Sequence, residues 1–326
     1  MDIFSYVRGF NYQPSYGSTS LENWVNFNPQ VIEQELRRGK TYFPGFNTVR
    51  YWLSWDAYFR KPELFKANFE TALQIADRLG IKVIPCLFNR WHDSTGYDNG
   101  GVYLENIAMP GCWAYYRPLY LSYVKDLAAA HCGDPRILVW DLCNEPFSYD
   151  VVTEQLRPFI QPELDWLTEM YHIVKEADPG TPVGVSIHQN HGREGLERIN
   201  AISDVLLIHP YFVCDKETIF DPVLRQSYRE NVDMMCAFGK GAGKPMLVTE
   251  TCWGAMTDED RVEVIRFTLD TLSQHGLGFV VHALHYSLVA DLHYPEDGFV
   301  GHSYNLAFTT RDGELRPGHE IFNQYC

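Results

Sequence analysis

Positive charge is what this chain of 326 residues has least of. Its 27 lysines and arginines stand against 42 aspartates and glutamates, a formal net charge of −15 at pH 7. Gripping a polyanion requires a basic stripe along one face, and none occurs, so nucleic acid is not an expected partner. Long hydrophobic runs are missing too: no apolar stretch approaches the ~18–20 residues that cross a bilayer, and no membrane partner is expected. Residues 1–8 carry neither the basic start nor the apolar stretch of a secretory leader. Eight cysteines are scattered along the chain, several inside apolar runs, as expected of small buried hydrophobes and not of a disulfide framework. The Asn-x-Ser/Thr acceptor of N-glycosylation is also absent. These absences together predict a reducing, cytoplasmic location. Low-complexity tracts and Ser/Gly linkers are lacking as well, so residues 1–326 are expected to form one domain; the oligomeric state is left open.

What is present is a rhythm. Hydrophobic residues make up 45% of the chain and aromatics 14%, enough for a full core. Short apolar, β-rich runs fall at 6–10, 48–53, 82–88, 137–143, 182–187, 205–209, 246–249 and 278–284. Amphipathic stretches separate them, among them 62–79, 118–130, 164–177, 223–238 and 259–274. Near-continuous apolar strands alternating with helices predict a parallel sheet covered by helices, an α/β fold. Eight strands close a single (β/α)8 TIM barrel. The alternative, a doubly wound sheet, normally carries a glycine-rich phosphate turn after its first strand, and Gly9-Phe10-Asn11-Tyr12-Gln13-Pro14 is not one.

In such barrels chemistry sits where strands run into the loops that follow them. Those positions here include Asn11, Arg50, Trp55, His92, Asn144, Glu145, His188, His209, Tyr211, Glu250, Trp253, His282 and His285. Two strand ends carry a glutamate directly after buried-type residues: Val139-Trp140-Asp141-Leu142-Cys143-Asn144-Glu145-Pro146 and Met246-Leu247-Val248-Thr249-Glu250. Their separation leaves room for three β/α units, which puts the glutamates on strands four and seven, facing each other across the mouth. Two carboxylates facing one bond can divide glycoside cleavage between them, one protonating the leaving oxygen and the other attacking the anomeric carbon. For either glutamate alone, a solvated terminal charge is an equally good reading; the pair in this register is what points to chemistry.

Asn144-Glu145-Pro146 together with Glu250, Arg50 and the Ile208-His209-Pro210-Tyr211 segment resembles the retaining glycoside hydrolases of clan A, and most of all glycoside hydrolase family 5, the cellulase and mannanase family. The resemblance runs from Arg8-Gly9-Phe10-Asn11 to Thr310-Arg311-Asp312-Gly313. It implies Glu145 as acid/base and Glu250 as nucleophile, acting on β-linked sugars with retention and without a cofactor. It further implies that Arg50 keeps Glu250 ionised and that Tyr211 donates to it. His209 then lies near the acid, and Asn144 holds the sugar 2-hydroxyl. The chain departs from the family pattern in two places: Thr249 stands where many members have glycine, and His282-Ala283-Leu284-His285-Tyr286 stands where a tryptophan floor is usual.

Remaining signals are weaker. Trp55, Trp253, His92 and His285 are expected to contact carbohydrate at the mouth, with ordinary rim packing the competing reading of each indole, and Trp140 is expected in the core. The scattered histidines suggest sugar contacts and no metal, since the strand-one His-x-His of metal-dependent barrel hydrolases is absent. Residues 239–245 imitate a phosphate loop but end in Pro245 before a strand, so they read as a helix cap. Residues 95–113 are the longest non-periodic stretch and are expected to close one end of the cleft. A sugar-binding barrel without catalysis and a metal-dependent hydrolase are the alternative functions.

Overall fold

The computed structural model describes residues 3–90, 101–147, 157–285 and 306–326. Eight parallel strands close in sequence order into a barrel: β1 (Arg8–Tyr12), β2 (Thr48–Trp52), β3 (Lys82–Asn89), β4 (Trp140–Asn144), β5 (Val183–His188), β6 (Leu206–His209), β7 (Met246–Val248) and β8 (Phe279–Val281). β1 pairs with β2 on one side and β8 on the other, which shuts the sheet. Around it lie α1 (Ser20–Val25), α2 (Pro29–Tyr42), α3 (Trp55–Arg60), α4 (Pro62–Arg78), α5 (Leu104–Ala108), α6 (Pro110–Ala130), α7 (Ile160–Ala177), α8 (Gly192–Asn200), α9 (Pro222–Ala242) and α10 (Asp258–Gln274). This is the expected (β/α)8 TIM barrel.

The helices begin where their sequences say they should. Ser54, Asp221 and Thr257 each accept a backbone N–H from the first turn of α3, α9 and α10, satisfying donors that have no partner within the helix. Proline opens α2, α4, α6 and α9, where its missing N–H costs nothing. The imitation phosphate loop is a helix end: α9 stops at Gly243, whose φ of 66° closes the left-handed cap before β7.

α6 departs from the reading of the sequence, starting at Pro110 and running through Pro118 to Ala130. Both prolines suit a helix start, and aromatic spacing settles the choice. Tyr116 stacks on Tyr120 one turn on, with centroids 5.8 Å apart, and Trp113 packs on Tyr120 at 6.4 Å. The part of the expected lid that is described, residues 101–113, is accordingly α5 and the first turn of α6. It is tied to the barrel by Arg90 Nη1 donating to the Val102 carbonyl at 2.6 Å and Trp55 Nε1 donating to that of Gly101 at 2.7 Å.

Among the described residues the core has two main parts, beside a small third cluster of Tyr211, Trp253 and Leu306. The larger lies between sheet and helices and includes Trp24, Trp140 and Trp166, with the Trp140 indole donating to Asp178 at 2.9 Å. The smaller fills the barrel's lower interior: Phe4, Val7, Ile84, Val139, Val205, Leu207, Leu247 and Val280. The segment before β1 plugs the base so closely that a Cβ on Gly278 would lie 1.9 Å from the Phe4 carbonyl oxygen. Side chains on a strand alternate between faces, so the next inward position is two residues further along. Above Ile84, Val139, Leu207, Leu247 and Val280 these are Cys86, Asp141, His209, Thr249 and His282; above Gly9, Thr48 and Gly184 they are Asn11, Arg50 and Ser186. The barrel interior turns from apolar to polar in a single step, and the site is built on that step.

Candidate active site

Arg50, on β2, is the centre of the polar layer. Its side chain is fully buried, and its shortest hydrogen bonds run from Nε to Asp141 at 2.7 Å, from Nη1 to Asn11 at 3.0 Å and Glu250 at 2.5 Å, and from Nη2 to Asn144 at 2.9 Å. A rigid planar fork can satisfy several acceptors at once in a way a lysine cannot.

Glu145 directly follows β4 with a φ of 43°, a left-handed conformation that a side chain-bearing residue rarely adopts. It is held there from both sides: its N–H donates to the Ser186 carbonyl at 3.0 Å, and the Asn144 carbonyl accepts from Arg90 N at 3.0 Å. Glu250 follows β7, whose next residue, Thr249, still pairs with β6 through the Ile208 carbonyl at 3.0 Å. Beyond it Thr251 Oγ1 donates to the Pro210 carbonyl at 2.6 Å, and the Thr251 carbonyl accepts from His282 N at 2.9 Å. Strained or pinned backbone on both arms fixes the two carboxyl groups before anything binds.

The two glutamates meet. One oxygen of Glu145, one of Glu250 and one nitrogen of His209 lie within 4.8 Å of one another. Each of these groups is already engaged. Glu250 accepts Arg50 on Oε1 and the Tyr211 hydroxyl on Oε2, both at 2.5 Å. His209 has Nδ1 2.6 Å from Glu145 Oε1 and Nε2 3.0 Å from Thr249 Oγ1. The second grouping of possible ligands, Glu70, His131 and Asp134, has its carboxylates bridged by Arg136 at 2.6–2.9 Å.

The same geometry drives the carboxyl groups apart in acidity. Burial, reinforced by the negative charge of Glu250, pushes Glu145 well above the usual carboxylate range. Burial works the same way on Glu250, but His209, Arg50, His282 and the Tyr211 hydrogen bond outweigh it and hold the group at about 2. Burial in turn holds His209 well below the ordinary imidazole value and His282 at about 4. Near neutrality both imidazoles are uncharged, so there the Arg50 guanidinium is the fixed positive charge beside Glu250, and the pull of His209 and His282 enters only as they protonate at lower pH. One carboxyl is thus kept protonated and the other deprotonated near neutrality.

Of the residues expected at the site, Glu145, Glu250, Arg50, Asn144, His209 and Tyr211 come together. Tyr211 is aligned by a reciprocal pair with the Gln189 side chain, N to Oε1 and Nε2 to O, each 2.9 Å. Trp253 joins them, packing edge-on against Tyr211 at 5.2 Å and stacking on His282 at 5.5 Å. Two other expected residues make their contacts elsewhere. Trp55 is buried as the first residue of α3, edge-on to Tyr116 and Tyr120, so its indole packs a loop onto the rim. His285 turns to the other side of β1, with Nε2 3.0 Å from Glu35, a buried carboxylate that also accepts from Tyr12 at 2.7 Å. His92 lies outside the described residues.

Several residues of the site escape a reading of strand ends. Asp141, Ser186 and Thr249 lie within or just past strands, and the signal for them is a polar side chain two residues beyond an apolar inward position. Arg261, on α10, is fully buried and donates to the carbonyls of Cys252, Trp253, Leu306 and Ala307 at 2.8–3.2 Å, fastening the loop that carries Trp253.

Comparison with known proteins follows the geometry. A model of the cellulase family, glycosyl hydrolase family 5, matches residues 9–287. A probable mannan endo-1,4-β-mannosidase C from Aspergillus terreus is 31% identical over 121 residues, 34% of this chain and 29% of the relative. A mannan endo-1,4-β-mannosidase 4, itself a tentative assignment, from Arabidopsis thaliana is 27% identical over 146 residues, 40% of this chain and 34% of the relative. This chain therefore spans about a third of the length of either. Among solved structures, an exo-β-1,4-mannosidase from Opitutaceae bacterium strain TAV5 superposes with a TM-score of 0.73 at 17% identity, covering 100% of this chain and 61% of the other. A family 5 mannosidase from Rhizomucor miehei gives 0.66 at 12% identity, covering 98% and 92%; at such identities the likeness is one of fold.

Proposed function

The chain belongs to glycoside hydrolase family 5, and from that membership and the geometry of its barrel mouth we propose that it is a retaining hydrolase of β-linked mannosides. The observation that carries the mechanism is the approach of Glu145 and Glu250, with carboxylate oxygens within 4.8 Å. Retention needs carboxyl groups ~5–5.5 Å apart, whereas inversion needs ~6.5–9.5 Å to admit a water between them. Glu250, ionised and oriented by Arg50 and Tyr211, attacks the anomeric carbon. Glu145, protonated, gives its proton to the departing oxygen. Water then attacks the glycosyl-enzyme ester, losing a proton to Glu145 and freeing Glu250. Asn144 lends Oδ1 to Arg50 and one N–H to Asn89 at 3.0 Å, which leaves its second amide N–H for the sugar 2-hydroxyl. The Trp253 and His282 stack offers a flat apolar face to a pyranose. Mannose as the glycone is supported by the names of both curated relatives.

The test is a panel of aryl β-glycosides (mannoside, glucoside, xyloside, galactoside, arabinofuranoside) assayed with wild type, Glu250→Ala and Glu145→Ala. The β-mannoside is expected to turn over with the β-anomer as first product by NMR. Glu250→Ala should lower kcat/KM at least ~10⁴-fold on every substrate. Glu145→Ala should lower it ~10²–10⁴-fold for poor leaving groups and far less for dinitrophenolate, which departs without a proton. An α-anomer as first product, or two variants with equal losses on both leaving groups, would sink the mechanism. A different preferred sugar would overturn the glycone alone.

A further inference from the structure

The hydrogen bonds around His209 form one continuous line across the barrel, and counting hydrogens along it fixes where each proton lies. At the far end Asp141 Oδ2 accepts from Arg50 Nε and from Ser186 Oγ at 2.6 Å. A serine hydroxyl has one hydrogen, and that bond uses it. In the next contact, Ser186 Oγ to Thr249 Oγ1 at 3.1 Å, the threonine must therefore be the donor. Its only hydrogen is then committed, so in the following contact, at 3.0 Å, His209 Nε2–H donates and Thr249 Oγ1 accepts. A neutral imidazole protonated at Nε2 has a bare Nδ1. The 2.6 Å contact between Nδ1 and Glu145 Oε1 consequently holds a hydrogen that belongs to Glu145.

We propose that Ser186 and Thr249 are positioning residues that lock His209 in its Nε2–H tautomer, so that bare Nδ1 cradles the proton of Glu145 between turnovers. This rests on the acid/base reading of Glu145 above. The O–H of Glu145 swings from Nδ1 to the glycosidic oxygen, its bond to Glu145 breaks as the new O–H of the leaving alcohol forms, and the proton returns from the attacking water in the second step. While Glu145 is ionised it faces a lone pair instead of an N–H, which keeps it basic enough to deprotonate that water. The other charged and titratable groups facing the pair are Glu250 from the β7 side, Arg50 from β2, Asp141 from β4, His188 from β5 and His282 from the β8 side. Burial pushes Asp141 up, and the Arg50 guanidinium at 2.7 Å with the Ser186 hydrogen bond opposes it; in its ionised form Asp141 holds the line of protons in this direction. Were Asp141 to take the Ser186 proton, every donor in the line would reverse and Glu145 would lose its own.

The first measurement is ¹⁵N-histidine NMR of the wild type at pH 7, with His209→Asn to assign the ring. A bare Nδ1 with a protonated Nε2 is expected; a protonated Nδ1 overturns the proposal. The second is the pH profile of kcat/KM for Thr249→Val, which keeps the shape of threonine and removes both hydrogen bonds. Freed to donate from Nδ1, His209 should stabilise ionised Glu145 and move the alkaline limb down by about one pH unit. The dinitrophenyl substrate, whose leaving group departs without a proton, should show no such shift of its alkaline limb at the glycosylation step, and Thr249→Ser should restore the wild-type limb. Ser186→Ala is the second route should the valine variant fold poorly, checked by circular dichroism. An unmoved limb in a folded variant overturns the proposal. The expected tautomer in a protein that cleaves no glycoside would instead leave the proton line standing and remove the catalytic reading beneath it.

Discussion

Arg50 shows how much one side chain can be asked to do. Its guanidinium joins Glu250 to Asp141 inside a layer closed to solvent, and removing one member of such a buried group leaves a partner charge unpaired, at a cost of ~3–5 kcal/mol. Lysine at this position keeps the charge and loses the fork, which makes Arg50→Lys the informative variant. Wild-type Glu250 is held at about 2 against the upward pull of burial, with His209, Arg50, His282 and Tyr211 supplying the opposing pull. Without the Nη1 contact the group should titrate higher, toward the ordinary ~4 of a glutamate. Glu250 attacks only when ionised, so activity is lost as pH falls through this value, and the acid limb of kcat/KM should move upward. Relative to its own rate at pH 6, Arg50→Lys should lose up to about half of its activity by pH 4 while wild type keeps it. At pH 6 itself a deficit of ~10²-fold is expected from misaligned attack. An acid limb unchanged between the two proteins would mean that His209, His282 and Tyr211 set the state of Glu250 without Arg50. Glu145 has the opposite sign: it must be protonated, so the alkaline limb falls as pH rises through its elevated value.

At the scale of the element, β4 explains both what the sequence showed and what it hid. Asn144 and Glu145 were legible because they end an apolar strand, where barrel chemistry is expected. Asp141 was not, because it is three residues from Asn144 and strict alternation would put the two on opposite faces. The register with β5 slips between them, with Asp141 opposite Gly184 and Asn144 opposite Ser186. This bulge turns both toward Arg50. The eight strands were legible from their apolar runs to within a few residues, since burial on both faces forces a continuous hydrophobic stretch. For Trp55 and His285, strand-end position says nothing of where the side chain turns once α3 or Glu35 offers it a partner. The amphipathic pattern of the sequence begins only at 118, yet the aromatic stack of Tyr116 on Tyr120 accompanies a helix that runs through Pro118. There Pro118 supplies no N–H to the Ala114 carbonyl, and it is exposed, so no packing compensates. Pro118→Ala should accordingly stabilise the protein, by ~1 kcal/mol after the unfolded chain's gain in freedom, and raise the unfolding midpoint by ~2–4 °C. Calorimetry checks this, and a lowered midpoint would show that the unfolded chain's gain in freedom outweighs the restored hydrogen bond.

The whole molecule sets its apolar plug beneath a polar layer and carries a formal charge of −15 around both. Excess charge of one sign works against the compact state, because folding brings like charges closer than the unfolded chain holds them. The opposing effect comes from ion pairs such as Arg136 with Asp134 and Glu70, Arg225 with Glu263, and Lys175 with Asp204, none of them fully buried. Salt weakens both, since the screening length is only ~10 Å at 0.1 M. Partly exposed pairs are worth ~0–1 kcal/mol each, whereas the repulsion is summed over the entire surface, so screening should on balance stabilise. Raising sodium chloride from ~10 to ~200 mM, which shortens the Debye length from ~30 to below ~10 Å, is expected to lift the midpoint by ~2–4 °C. The reaction itself should not follow. A neutral glycoside is not steered by the field of an anionic protein, and Arg50, Asp141, Glu145 and Glu250 are shielded by burial, so kcat/KM for an uncharged aryl mannoside should stay within about twofold over the same range. A falling midpoint would mean that the surface ion pairs outweigh the self-repulsion. A salt-dependent kcat/KM at constant stability would mean that the buried charges feel the solvent, and that the polar layer opens further in solution than its hydrogen bonds imply.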